Sequence, residues 1–173
     1  MCRHSPGRFC LLRFGPLVYR MSLARLGKHV SYEAFRSNSA DMVARQDITA
    51  ATDRAASFIR QQTSAGKVTL VDSHAVSKEH YGWRGVPDSA DLLHRFSYSW
   101  IVQLYVSAEL ILERTREHRD GRLAATPEEV AVLQQLQMTV SVYYAGQLGC
   151  ALHVVRNDGL IEETIQAILS LLG

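Results

Sequence analysis

The 173-residue chain is 47% hydrophobic and 21% charged, with a formal net charge of +2, the profile of one globular domain able to bury a core without disulfides or structural metals. The charge is unevenly spread: residues 1–32 hold six basic side chains (Arg3, Arg8, Arg13, Arg20, Arg25, Lys28) and no acid, while the rest carries 13 basic against 17 acidic, about −4. That balance argues against a nucleic-acid surface on the main body, and the lack of an apolar run near ~18 residues argues against a membrane-spanning segment.

The basic head, residues 1–27, is set apart from a domain expected over 28–173. An Arg-rich, acid-poor leader suits organelle targeting, but Pro6, Gly7, Gly15 and Pro16 interrupt any long amphipathic helix. Arg13 splits the apolar run needed for a secretory signal. A third reading is a misplaced start codon or shifted frame, so that the head is not the natural beginning of the domain. Cys2, Cys10 and Cys150 are odd in number and scattered, without a Cys-x-x-Cys pair, which points to a reducing cytosol and a cytoplasmic protein.

In chain order, Phe9-Cys10-Leu11-Leu12 is a candidate first strand, followed by a helix-like stretch to Gly27. His29-Val30-Ser31-Tyr32 is a short candidate strand. Apolar residues recur at helical spacing from Ser39 to about Thr63 (Met42, Val43, Ile48, Ala51, Ala55, Phe58, Ile59), with one break allowed and an end near Ala65-Gly66. Residues 67–72 form an apolar, β-branched strand that runs into Asp72-Ser73-His74-Ala75. A Gly/Pro-marked loop covers 80–87, a short helix 88–95 and a strand 100–106. Helix 107–118 leads into the charged turn His118-Arg119-Asp120-Gly121-Arg122. The next helix opens with a capping box, with Thr126 as cap, Pro127 at the first position and Glu129 at the third, and Gly149 closes it. Residues 151–155 are the last strand and 159–172 an amphipathic terminal helix. This alternation predicts an α/β three-layer domain with a parallel sheet of four or five strands.

A strand that delivers Asp72 and His74 to the carboxyl edge of such a sheet places them where open α/β folds bind ligands. From Lys67 to the end, and more loosely from residue 28, the chain resembles the archaeal-type adenylate kinases, small P-loop nucleoside monophosphate kinases. Asp72-Ser73-His74-Ala75 is similar to the family's Asp-Thr-His-Ala. Residues 81–87 resemble its Tyr-Leu-Pro-Gly-Leu-Pro loop with one insertion. Arg114, Arg116, Arg119 and Arg122 resemble its arginine-rich lid, expected over 114–126, and Ala145, Gly149, Asn157 and Gly159 resemble its closing pattern.

The resemblance implies an ATP-dependent phosphotransferase acting on a nucleoside monophosphate, AMP first, with Mg and ATP as cofactors. It implies that Asp72 holds Mg²⁺ through water and that the lid guanidiniums of Arg119, Arg122 and Arg114 stabilise the transferred charge. His74, Arg84, Asn157 and Gly159 would line the nucleotide site, with residues 32–60 as the acceptor-side helices.

Two departures limit the expected activity. No Gly-x-x-Gly-x-Gly-Lys-Ser/Thr loop, whose backbone N–H groups cradle phosphates, is present. Gly27-Lys28 and Gly66-Lys67 lack the following hydroxyl residue, and Met138 stands where the family carries an arginine after its lid. The chain is therefore expected to be an impaired kinase or a nucleotide-binding or protein-interaction relative without turnover. A further reading keeps only the doubly wound fold and another phosphorylated small molecule. A Gly-rich loop encoded upstream of residue 28 in another frame would select the active enzyme.

The bland alternatives are an Asp72 that caps its turn, a hydrogen-bonded structural His74, lid arginines paired with Glu113, Glu117 and Asp120, and an ordinary Asn157-Asp158-Gly159 turn.

Overall fold

The computed structural model describes residues 7–86, 90–117 and 125–171, a mixed α/β chain with no closed barrel. Strand β1 (Phe9–Arg13) passes directly into helix α1 (Phe14–Leu26), followed by α2 (Tyr32–Ser37), α3 (Ser39–Met42) and α4 (Arg45–Ser64). Then come β2 (Val68–Asp72), β3 (Val76–Glu79), β4 (Gly82–Gly85), α5 (Ala90–His94), β5 (Trp100–Tyr105), α6 (Ala108–Glu117), α7 (Pro127–Leu148), β6 (Ala151–Arg156) and α8 (Ile161–Ser170).

Among the described residues the strands form three two-stranded ladders. β1 pairs in parallel with β2, placing Arg13 opposite Asp72, and β5 pairs in parallel with β6, placing Tyr105 opposite Arg156. β3 and β4 form an antiparallel hairpin. Parallel pairing requires crossover connections, and the helices between β1 and β2 and between β5 and β6 provide them.

The core gathers Phe14, Leu17 and Val18 of α1, Phe35 of α2, Ala51 and Ala55 of α4, and Phe96, with Leu12 and Val71 packed against it. Residues 9–26 of the basic head thus supply a strand and a helix to the core. The small Ala51 and Ala55, both fully buried, let α4 approach α1 closely. Phe14 meets Phe96 edge-on at 5.9 Å. Tyr98 packs on Phe96, and burial pushes its phenol well above the ordinary tyrosine value, with Tyr144 and Cys150 close by. These contacts carry the core from α1 toward α7. A second link is the Lys78 to Glu129 ion pair, 2.7 Å, from β3 to the first turn of α7.

Two segments differ from the sequence expectation. Residues 29–32 are not a strand: the Ser31 hydroxyl accepts from the Ala34 N–H at 3.2 Å and starts α2. A local cap outweighs the β-propensity of a lone valine and tyrosine. Tyr32 then stacks along α2 near Phe35 while Tyr19 packs edge-on against both. The expected loop over 80–87 is largely the β3–β4 hairpin, held to α3 by Glu79, which is 4% exposed and accepts from the Ser77 hydroxyl at 3.0 Å and the Ser39 hydroxyl at 2.8 Å.

The break allowed within residues 39–63 falls at Val43-Ala44, between α3 and α4. Asp47 fixes it. Its buried carboxylate accepts from the Ala44 N–H at 2.9 Å, the Ser22 hydroxyl at 3.0 Å, and Arg25 Nε and Nη2 at 2.9 and 2.8 Å. Burial opposes ionisation of Asp47, but these donors outweigh it and hold the carboxyl below the usual range. Arg25 also donates to the Met42 carbonyl at 2.6 Å, so one guanidinium closes the end of α3 and the start of α4 against α1.

The α7 N-terminus forms as its residues dictate, with Thr126 Oγ1 accepting from the Glu129 N–H and Glu129 returning the bond to the Thr126 N–H. Gly149, at φ 61°, closes α7 in the left-handed conformation that favours glycine.

Candidate functional site

The carboxyl ends of the two parallel ladders carry most of the candidate residues. Asp72 is the last residue of β2 and lies exposed, with the exposed His74 two residues beyond. Across the ladder stands Arg13, at once the last residue of β1 and the residue before α1. The strand enters the helix without an intervening residue, so the phosphate-cradling loop that the resemblance places here has no counterpart in the backbone.

At the other ladder, Tyr105 ends β5 and Arg156 ends β6, and the Asn157 N–H donates to the Tyr105 carbonyl at 2.8 Å. Arg156 donates through Nε to Asp158 at 3.2 Å and again through Nη2 at 2.5 Å. The Asp158 carboxyl is held below its ordinary value first by the Arg156 hydrogen bond, and Arg114 contributes to the same field. The structure therefore brings Arg114, in the last turn of α6, toward the turn that contains Asn157 and Gly159.

Asn157 is oriented by Thr164, whose hydroxyl lies 3.2 Å from Asn157 Oδ1 and 3.3 Å from the Arg156 carbonyl. Beside Gly159, Glu163 Oε2 accepts from the Leu160 N–H at the start of α8.

Beside Tyr105 a pocket of about 580 Å³ opens between α6 and α7, with Ser107, Gln134 and Met138 in its wall. Gln134 Oε1 accepts from the Val106 N–H at 3.4 Å, and Ser107 Oγ accepts from Leu110 N–H at 3.3 Å. Met138, at the position where the resemblance predicts an arginine, presents a neutral thioether to this pocket.

Arg84 is committed elsewhere. It donates from Nε to the Tyr81 hydroxyl at 2.8 Å and from Nη2 to the Ala40 carbonyl at 3.3 Å, with Glu79 at 3.8 Å, tying the hairpin to α3. Arg119 and Arg122, and with them most of the expected lid, lie outside the described residues. No hydrogen bond or ion pair among the described residues joins Asp72 to Arg84, Arg114 or Asn157.

Sequence reasoning missed Arg13 and the Arg156–Asp158 pair. Arg13 could have been found as the residue ending a candidate strand, and Arg156 from its position next to the Asn-Asp-Gly turn. The donor set for a divalent cation is thin: no group of three or more His, Cys, Asp or Glu side chains gathers among the described residues. The exposed Asp72 carboxylate fits a single water-mediated contact. Among the described residues no helix is long and apolar enough to cross a membrane.

No protein-family model matches the chain, and no curated protein is similar to it at the level required for a match.

Proposed function

We propose that this chain is a nucleotide-binding relative of the archaeal-type adenylate kinases that holds a nucleoside monophosphate, AMP first, at the carboxyl edge of its strands and transfers phosphate from Mg-ATP feebly or not at all. Under this reading the β1–β2 and β5–β6 ladders belong to one doubly wound, three-layer P-loop arrangement. The observation that carries the impairment is the junction at Arg13-Phe14, where β1 becomes α1 with no loop. Phosphoryl transfer depends on holding donor and acceptor in line and on neutralising charge on the γ-phosphoryl group. A chain without the anion cradle and its lysine has lost its main hold on the donor.

Acceptor binding draws support from the other ladder. Arg114 puts a guanidinium near a turn at a strand end, next to a pocket, and Arg156, bound there to the exposed Asp158 turn, could exchange that partner for a phosphate, whose oxygens guanidiniums bind in bidentate fashion. Asp72 would hold Mg²⁺ through water, and the ion would supply charge neutralisation on the polyphosphate.

The test is a thermal-shift series with the full chain and Mg²⁺, titrated with AMP, ATP, a diadenosine polyphosphate and fructose 6-phosphate. At 100 times its dissociation constant a ligand stabilises by about 2.7 kcal/mol, or roughly 5–10 °C for a chain of this size. AMP and the dinucleotide are expected to shift the melting temperature and the sugar phosphate to leave it unchanged. A coupled ADP assay should show trace turnover at most, abolished by Asp72→Asn and by Arg119→Ala. Equal stabilisation by the sugar phosphate, or none by any nucleotide, overturns the proposal.

A further inference from the structure

On the flank formed by α1 and α4 lies a larger cavity, about 1220 Å³, separate from the strand-end residues discussed above except for Arg13. Leu11 and Leu12 of β1, Leu17 and Met21 of α1, and Phe58 of α4 give it an apolar lining. Three guanidiniums reach it: Arg13, Arg20 and Arg54. All three are exposed, and among the described residues none makes a hydrogen bond or ion pair. The one carboxylate in the lining, Asp53, is already neutralised by Arg95.

The positive charge is a consequence of sequence as well as of placement. Arg13 and Arg20 come from a stretch of 32 residues without an acid, and the other basic helix residue of that stretch, Arg25, is consumed by Asp47. Unpaired cations above an apolar wall complement a molecule with an anionic head and a hydrocarbon body. Met21 and Phe58 lie half-buried on the two helices and Leu11 of β1, 48% exposed, stands at the rim, an apolar strip that a single hydrocarbon chain can follow.

We propose that the α1–α4 groove binds a single-chain anionic amphiphile, a monoalkyl phosphate or long-chain carboxylate, with its head held by Arg13, Arg20 and Arg54 and its chain laid over Leu11, Leu12, Met21 and Phe58. This site is independent of the nucleotide reading.

Calorimetric titration of the full chain with decyl phosphate below its critical micelle concentration tests it. Decyl phosphate should bind at least about tenfold more tightly than decyltrimethylammonium or inorganic phosphate. The double variant Arg20→Gln, Arg54→Gln should lose about tenfold in affinity for it, while its melting temperature and any AMP-induced shift stay unchanged, since both side chains are exposed. Leu11→Asn should weaken decyl phosphate without restoring preference for the cation. Equal binding of the cationic amphiphile, or full affinity in the double variant, overturns the assignment. So does binding confined to anionic vesicles, or to an acidic helical peptide, with none to soluble decyl phosphate.

Discussion

Replacing Arg25 with alanine should expose how much of the fold hangs on one buried carboxylate. The Asp47 side chain is 3% exposed and that of Arg25 29%, and the guanidinium supplies the Nε and Nη2 donors to a carboxylate that otherwise keeps only the Ser22 hydroxyl and the Ala44 N–H. Removing one partner of a fully buried pair costs about 3–5 kcal/mol. The part-exposed Arg25 side admits water once vacated, so we expect about 2–3 kcal/mol, or roughly 5–10 °C in melting temperature. The pH dependence has a definite sign. In the wild type the Asp47 carboxyl is depressed, so its stabilisation is present above the unfolded value of about 3.9 and is lost as pH falls through the folded value. In the variant, burial is opposed only by the Ala44 N–H and the Ser22 hydroxyl, so the same carboxyl is less depressed than in the wild type. The deficit should therefore be full at pH 7 and shrink as pH drops toward and below about 4. Urea unfolding followed by far-UV circular dichroism at both pH values measures it. A loss under about 0.5 kcal/mol at pH 7, as seen for exposed pairs, or a deficit that grows on acidification, would refute the role given to this pair.

Thr52, fully buried in α4, has a hydroxyl without a hydrogen-bond partner among the described residues, so Thr52→Val should stabilise by about 1 kcal/mol in denaturant melts; destabilisation would reveal a bond to the hydroxyl. Thr126→Ala removes the acceptor of the Glu129 N–H and should cost about 1 kcal/mol.

The parts of the fold most legible in the sequence are those fixed by local chemistry. Thr126, Pro127, Glu129 and Gly149 bound α7 to the residue because caps and left-handed glycines act within one turn. The β-branched runs ending at Asp72 and Val155 showed their strands through length and composition alone. What stayed hidden depends on partners far along the chain. Glu79 reads as a surface acid in any window of ten residues, and only the approach of Ser39, forty positions earlier, makes it the centre of a hairpin. Arg25 and Asp47, both ordinary helix residues by pattern, find each other across 22 positions. For the candidate site, the strand-end location of Asp72 and Asn157 was legible. The loss of Arg84 to Tyr81 and the Ala40 carbonyl was not, because a guanidinium in a glycine-rich stretch looks the same whether it faces a ligand or its own hairpin.

The direct junction of β1 with α1 bears on more than a missing loop. Arg13 is fixed in register against Asp72, and the next residue, Phe14, is 4% exposed and wedged edge-on against Phe96. Both sides of the junction are thus anchored, one by the ladder and one by the core. A phosphate cradle needs several residues of backbone free to turn their N–H groups toward an anion, and here that backbone is taken up by the strand and the helix. Reaching such a conformation would mean unpairing the end of β1 or withdrawing Phe14, which truncation data on buried aromatics place at about 3–5 kcal/mol. A bound triphosphate would have to supply that difference before any of its affinity appeared. A donor that bound by local rearrangement at this junction would lose about two to four orders of magnitude in affinity. At the other ladder the comparable demand falls on Arg156, which would have to leave Asp158, an exposed pair of the kind that contributes little to stability, so an acceptor phosphate there would meet a smaller cost than a donor triphosphate at the junction.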